Sequence, residues 1–426
     1  MSTGGQPPES GPSSAVAAQM TRPPSFRSYV GDYFDKVRGG DIGALPAILG
    51  LIVLCVVFGT LRSSFFSAGN FANLFTQGAS VAVIAMGLVF VLLLGEIDLS
   101  AGFTSGVCAA VLAILLSDKH NVPLPLALAG SLLTGAVIGL AIGSMVARVG
   151  IPSFVVTLAA FLALQGVVLL IIGEGGVVTI SDKLILGISN DNMSPTAGWS
   201  LLAVGVTAYA ALLATRAARR RARGLTADPV PVVAFRVLVT AAASGAAVYF
   251  LNVERSRNVK INSLRGVPYV VPLILVLLVV LTFVLNRTSY GRHLYAVGGN
   301  AEAARRAGIN VQAIRTSVFM IGSTMAAIGG LIAASRANSV DPNAGGSNTL
   351  LYAVGAAVIG GTSLFGGKGK VRDAILGAAV VAVIDNGMGL LGYKAGIKFI
   401  VTGLVLLVAA SVDALSRRRA ASTGKI

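Results

Sequence analysis

Apolar runs long enough to cross a lipid bilayer recur along almost the whole chain, and they constrain the fold more than any other feature. Candidate spans fall at about residues 43–60, 78–94, 101–117, 124–147, 154–173, 198–215, 234–251, 267–286, 317–334, 350–363, 373–391 and 396–413. A bilayer core about 30 Å thick asks for roughly 20 apolar residues per helix. The tenth run is short and is open to a re-entrant course, covered by protein or water instead of lipid. The fold class that follows is all-α: a polytopic transmembrane helical bundle of about 10–12 segments. A transmembrane barrel would show alternating stretches of about ten residues, and none is evident. With 55% hydrophobic and 12% charged residues, the chain carries more apolar side chain than a soluble core would bury.

The net charge of +16 fits membrane topology better than nucleic acid. With both termini inside, Arg216, Arg219, Arg220, Arg221 and Arg223 fall on the cytoplasmic face, as do Arg292, Arg305, Arg306 and Arg315, and Arg417, Arg418 and Arg419. Roughly 22 basic residues then lie inside and 10 outside. One outer loop opposes the trend, with Arg255, Arg257, Lys260 and Arg265. Residues 1–42, rich in Ser, Pro and Gly, read as a disordered cytoplasmic tail; 43–413 form the membrane domain, and 414–426 a basic cytoplasmic tail. Cys55 and Cys108 sit inside apolar runs and read as small buried hydrophobes. His120 and His293 have no companions at ligand spacing, so neither a metal nor a catalytic site is expected.

Four polar stretches interrupt the apolar pattern. The loop at 287–316 reads Tyr290-Gly-Arg-His through Gly308-Ile-Asn-Val311. Glu302 near the start of an Ala-rich stretch favours a short helix, Gly298 and Gly299 read as a turn before it, and Gly308 as its left-handed cap. Arg305 and Arg306 can face an acidic partner surface or anionic lipid headgroups; the bland alternative is an ordinary basic loop. Glu96, Asp98 and Ser100 lie between two runs with almost no loop, which suits either a sugar pathway or, for Asp98 or Ser100, an N-cap of the next helix. Asp385 and Asn386 interrupt a later run, as pathway groups or as a helix–helix hydrogen bond; Asp373 and Asp413 lie nearer span ends.

The fourth stretch, Ile359-Gly-Gly-Thr-Ser-Leu-Phe-Gly-Gly-Lys-Gly-Lys370, fails the phosphate-loop pattern: Thr362 stands where the first Gly belongs, and Gly369 follows the Lys. Gly135, Gly139 and Gly143 recur at four-residue spacing and predict close helix packing. A faint internal echo pairs Phe154–Thr157 with Phe399–Thr402, and Gly95-Glu-Ile-Asp-Leu-Ser with Gly360-Gly-Thr-Ser-Leu-Phe.

Glu96-Ile-Asp-Leu-Ser-x-Gly, Ile151-Pro-Ser-Phe-Val-Val-Thr-Leu158, Gly291-Arg through Asn310-Val, and Ile359-Gly-Gly-Thr-Ser-Leu together resemble the inner-membrane permeases of monosaccharide ABC importers, the ribose/xylose/galactose type, over about residues 44–413. Leu264-Arg-Gly-Val-Pro268, Asp385-Asn-Gly-Met388 and an additional pair of spans around 234–286 favour the xylose branch. The resemblance implies an ABC importer permease fold and a homodimeric, non-enzymatic channel in a bacterial cytoplasmic membrane, moving a monosaccharide with D-xylose foremost, or ribose or another pentose or hexose. It implies no cofactor on this chain, ATP being bound by a separate ATPase subunit, and a sugar-loaded extracytoplasmic binding protein docking outside. It assigns the ATPase contact to Gly291, Arg292, Gly299, Asn300, Glu302, Ala303, Ala304, Arg305 and Gly308. The rival classes are an ion-coupled secondary transporter using Glu96, Asp98 or Asp385, an integral-membrane enzyme, for which no nucleophile–base pair is visible, and a scaffold without transport.

Overall fold

The computed structural model describes residues 45–225, 227–256, 258–259 and 263–422. The expected tail at 1–42 lies outside the described residues, as does the side chain of Asp413. Fifteen α-helices occur among the described residues. They are α1 (Leu45–Leu61), α2 (Ala68–Leu93), α3 (Ala101–Leu116), α4 (Leu124–Ser144), α5 (Ser153–Ile172), α6 (Lys183–Asn190), α7 (Pro195–Ala222) and α8 (Val230–Asn252). Then follow α9 (Val270–Arg287), α10 (Ser289–Gly299), α11 (Ala301–Arg306), α12 (Val311–Ala337), α13 (Ser347–Ile359), α14 (Val371–Leu390) and α15 (Ala395–Ser422). Two short strands, β1 (Val178–Thr179) and β2 (Ser339–Val340), pair antiparallel.

Every expected span has a helix, but eight are long and apolar enough to cross a bilayer: α2, α4 with the π-turn after it, α5, α7, α8, α9, α12 and α14. Shorter apolar helices stand at the other four positions, in α1, α3, α13 and the first half of α15. At 1.5 Å per residue, α13 reaches only about 20 Å. The non-helical link 338–346 precedes it. The last helix continues through Arg417–Arg419 to Ser422 instead of stopping at 413.

The chain divides into two units. The described part of one is Trp199–Val248, most of α7 and α8. In it Asp228 pairs with Arg236 at 2.8 Å, and Leu202 lies 3.8 Å from where a Cβ on Gly245 would stand. Only 6% of the apolar window of either helix is buried inside the protein. Of the two spans expected at 234–286, α8 falls mostly in this unit, whereas α9 belongs to the larger one, where Val270, Leu281 and Leu285 are buried and the helix packs on α2 and α10.

The larger unit is built around α2, 78% of whose apolar window is buried, with α12 and α14 beside it. The glycine seam on α4 faces α12: a Cβ on Gly135 would meet the Ser323 carbonyl at 2.8 Å, and one on Gly143 the Thr316 backbone at 2.8 Å. Lipid offers no hydrophobic drive between helices, so this close contact and the dispersion it brings hold the pair together. Ser131 ties α4 to α3 as well, donating to the Cys108 carbonyl at 2.8 Å.

Two series share one order: a long helix, a non-helical link, a short helix and two further helices. They are α2–α5 with link 94–100 and α12–α15 with link 338–346. They run oppositely, because Glu96 just past the end of α2 pairs with Arg315 near the start of α12 at 3.2 Å. The links meet at the starts of the short helices, where a Cβ on Gly102 would lie 2.6 Å from the Gly345 carbonyl; Gly345 itself has φ +72°. In this arrangement link 94–100 corresponds to 338–346. The sequence echo between Gly95–Ser100 and Gly360–Phe365 thus joins non-equivalent links, whereas Phe154–Thr157 and Phe399–Thr402 both open the fourth helix of a series.

Candidate functional site

The polar loop at 287–316 is two helices set between α9 and α12. Thr288 starts α10 by accepting from the Gly291 N–H at 3.2 Å, and Leu294 and Val297 bury its inner face. Gly298 and Gly299 therefore end a helix and do not form a free turn. Gly291 is buried against the carbonyls of Val284 and Leu285, leaving no room for a Cβ. Arg292 is exposed, its guanidinium donating to Ser289 Oγ at 2.9 Å. Burial pushes the Tyr290 phenol up to about 12, with Ser317 Oγ 2.9 Å away opposing the rise.

Asn300 caps α11, its Oδ1 accepting from the Ala303 N–H at 2.9 Å. Ala304 is the buried anchor of that helix, while Ala303, Glu302, Arg305 and Arg306 face outward and nothing crowds Gly299. Glu302 pairs with Arg305 at 3.2 Å and Arg306 at 3.3 Å, all three exposed, so these pairs order the surface without adding much stability. Gly308 has φ +83° and closes the helix, the Ile309 N–H reaching the Ala304 carbonyl at 3.0 Å. Asn310 then caps α12 through the Ala313 N–H at 3.0 Å. Capped ends and one buried face give α10–α11 a fixed, charged outer surface.

Beneath that surface three turns meet backbone to backbone. Gly298 lies against the Leu93 carbonyl and the Gly367 N–H, and Gly367 N–H donates to the Leu93 carbonyl at 2.9 Å. Tyr295 donates to the Gly369 carbonyl at 2.8 Å, and the Ser363 N–H bonds the Lys368 carbonyl at 2.9 Å. The Gly-rich loop 360–370 is thus tied to protein backbone. Phe365 in that loop is 69% exposed, a surface aromatic that sequence reasoning passed over because it sits among glycines.

The five expected pathway residues do not form one site. Glu96, paired with Arg315, has a side chain only 14% exposed. Asp98 and Ser100 are fully buried, and Asp98 Oδ1 accepts from the Ser100 N–H at 2.9 Å and its hydroxyl at 2.6 Å. Asp98 is therefore the group that shapes the start of α3, and Ser100 donates to it instead of capping. The link is held from outside by α5: the Ile97 N–H donates to Ser153 Oγ at 3.2 Å, and Thr157 Oγ1 donates to the Ile97 carbonyl at 3.2 Å. Two of the quoted motifs touch here.

Asp385 and Asn386 lie elsewhere, beside the first half of α2. Asn386 Nδ2 donates to Asn70 Oδ1 at 2.9 Å and Gln77 Oε1 at 3.2 Å, and Lys398 donates to Asp385 at 3.4 Å. Gln77 and Leu93 are separated by roughly 24 Å along α2, from a rise of 1.5 Å per residue. Asn70 and Gln77 were missed; their seven-residue spacing on one apolar helix face was the available signal. Asp373, the other interior acid, accepts from the Lys370 N–H at 2.8 Å and caps α14.

Comparison with known proteins adds to this geometry. The profile of the family described as "Branched-chain amino acid transport system / permease component" matches residues 70–410. The Xylose transport system permease protein XylH of Escherichia coli (strain K12) is 36% identical over 387 residues, 91% of this chain and 95% of that protein. Its namesake in Haemophilus influenzae is 32% identical over 391 residues, 90% of this chain and 99% of that one. The Ribose import permease protein RbsC of Escherichia coli (strain K12) is 29% identical over 367 residues, 86% and 92% of the two chains. No solved structure matches. With eight apolar helices of spanning length and a family match over most of its length, this multi-pass membrane protein belongs to that family of transport-system permease components.

Proposed function

We propose that the chain is the non-enzymatic membrane subunit of an ATP-driven sugar importer in a bacterial cytoplasmic membrane, with D-xylose as its first substrate. The observation that carries the reading is the α10–α11 pair, a capped, charged surface resting on the ends of α2 and α12 and on the 360–370 loop. The xylose relatives, alike over nine-tenths of the chain, support the sugar. The charge count supports a topology with both termini and α10–α11 inside.

In this reading ATP stays on a separate ATPase subunit that grips Arg292, Glu302, Arg305 and the Gly308 cap. A sugar-loaded binding protein docks outside, two copies of the chain flank the path, and anionic lipid headgroups meet the Arg216–Arg223 cluster. When the ATPase closes, its push on α11 passes through Gly298 to the end of α2. From there the Arg315–Glu96 pair carries it into link 94–100 and α3. Asp385 and Asn386 line the sugar's way; Asp98 and Ser100 hold the moving link.

A deletion strain tests the substrate. Its uptake of micromolar radiolabelled D-xylose should be lost and restored by the gene, with leucine uptake unchanged. Loss of leucine uptake with xylose uptake intact would turn the assignment to amino acids.

A further inference from the structure

We propose that a cavity between α2 and α12 is a binding site for the sugar in transit, a site that rests on the importer function proposed above. The cavity has a volume of about 330 Å³ and is lined by Thr76, Gln77 and Ser80 of α2 and by Ala333, Arg336 and Ala337 of α12, among others. That volume is at the small end of ligand pockets, enough for one monosaccharide. It opens between α2 and α12, two of the most buried helices of the larger unit.

The polar groups there are arranged with unused capacity. Arg336 makes no hydrogen bond and no ion pair with another described residue, although Asp385 lies within electrostatic reach. Gln77 has its Oε1 engaged by Asn386, which fixes the amide and leaves its NH₂ as the free end. Asn386 is 6% exposed, and its Oδ1 is buried with no partner, one hydrogen bond behind the cavity wall. Ser80 gives its proton to the Gly329 carbonyl at 2.7 Å and keeps its lone pairs.

Donors at Arg336 and Gln77 therefore stand near acceptors at Ser80, Asn386 and Asp385. A ligand whose adjacent hydroxyls both donate and accept matches that set. The guanidinium fork meets two neighbouring hydroxyls at once, as a Lys point charge does not. The plainer role of the cluster is to join α2 to α14, and the Asn70–Asn386–Gln77 bonds serve it. That role has no use for Arg336, which stands exposed in the last turn of α12 with its guanidinium available to a ligand at the cavity.

The test uses the full chain in lipid nanodiscs with Ala333→Cys, labelled by a small hydrophilic cationic thiosulfonate and read by peptide mass, native Cys55 and Cys108 serving as controls. Position 333 should label, and D-xylose or D-ribose at tens of millimolar should slow labelling several-fold, while L-leucine and inorganic phosphate do not. Added Gln77→Leu or Arg336→Lys should keep the labelling and abolish the sugar protection. Where Ala333→Cys is not recovered, Ala337→Cys on the same lining replaces it.

Failure to label, labelling without protection by either sugar, or equal protection by leucine or phosphate would each overturn the site. D-Xylose uptake by cells carrying the unsubstituted chain separates this from the wider reading. ATP-dependent uptake without protection overturns the cavity alone, and absence of ATP-dependent uptake overturns the importer.

Discussion

Gly308 shows how one residue's backbone decides a surface. Its φ of +83° costs a β-branched residue about 1–2 kcal/mol, while nothing lies within 4 Å to clash with a Cβ. Gly308→Val should therefore loosen the end of α11 and sharply reduce co-purification of the ATPase, with membrane insertion unchanged. Gly308→Asn, which tolerates the left-handed region, should keep most of it. Undiminished co-purification in the Val variant would remove α11 from the docking surface.

Glu254 does comparable work in the basic loop after α8. Its carboxylate accepts from Ser263 Oγ at 2.6 Å and from the N–H groups of Leu264 at 2.9 Å and Ser256 at 3.0 Å, and pairs with Arg265 at 3.4 Å. The Ser263 hydroxyl first, then the Ser256 and Leu264 N–H groups, lower its pKa from 4.5 to about 2. A lowered folded value means its contribution is complete above about 4.5 and is lost as pH falls through about 2. Glu254→Gln should speed tryptic cleavage at Arg255 and Arg265 several-fold at neutral pH. In the unsubstituted chain, resistance of this loop to an acid-active protease such as pepsin should persist well below pH 4.5.

At the scale of elements, the helices were legible and their ends were not. Apolar length alone located a helix at each of the twelve positions, because a bilayer leaves backbone polar groups no other partner. The same count missed α10, whose polar outer face hides the buried Leu294 and Val297, and it misjudged α15, whose basic end stays helical. It also placed Glu96, Asp98, Asp385 and Asn386 in one class, since sequence shows polarity without position. Where they sit depends on the Glu96–Arg315 pair and the Asn70–Asn386–Gln77 bonds, which join residues more than 200 positions apart. The Glu96–Arg315 pair makes a direct prediction. Arg315→Glu should cut ATP-driven uptake several-fold while ATPase binding persists, and the swap Glu96→Arg with Arg315→Glu should recover part of it. Loss of ATPase binding in the single variant would make the pair part of the docking face and not a relay.

For the whole molecule, the resemblance carried the family; what it lacked was geometry. The structure adds two oppositely running helix series whose short helices begin at a common crossing, with a charged surface at one end of α2 and a polar cavity near the other. An external motor acting at one end and a sugar held toward the other is the account's central claim. The most direct test is uptake of radiolabelled D-xylose into proteoliposomes, with the chain alone or with its ATPase inside and binding protein outside. The account predicts accumulation only in the complete system with ATP, unchanged when proton and sodium gradients are collapsed. Accumulation by the chain alone, driven by an ion gradient without ATP, would contradict it.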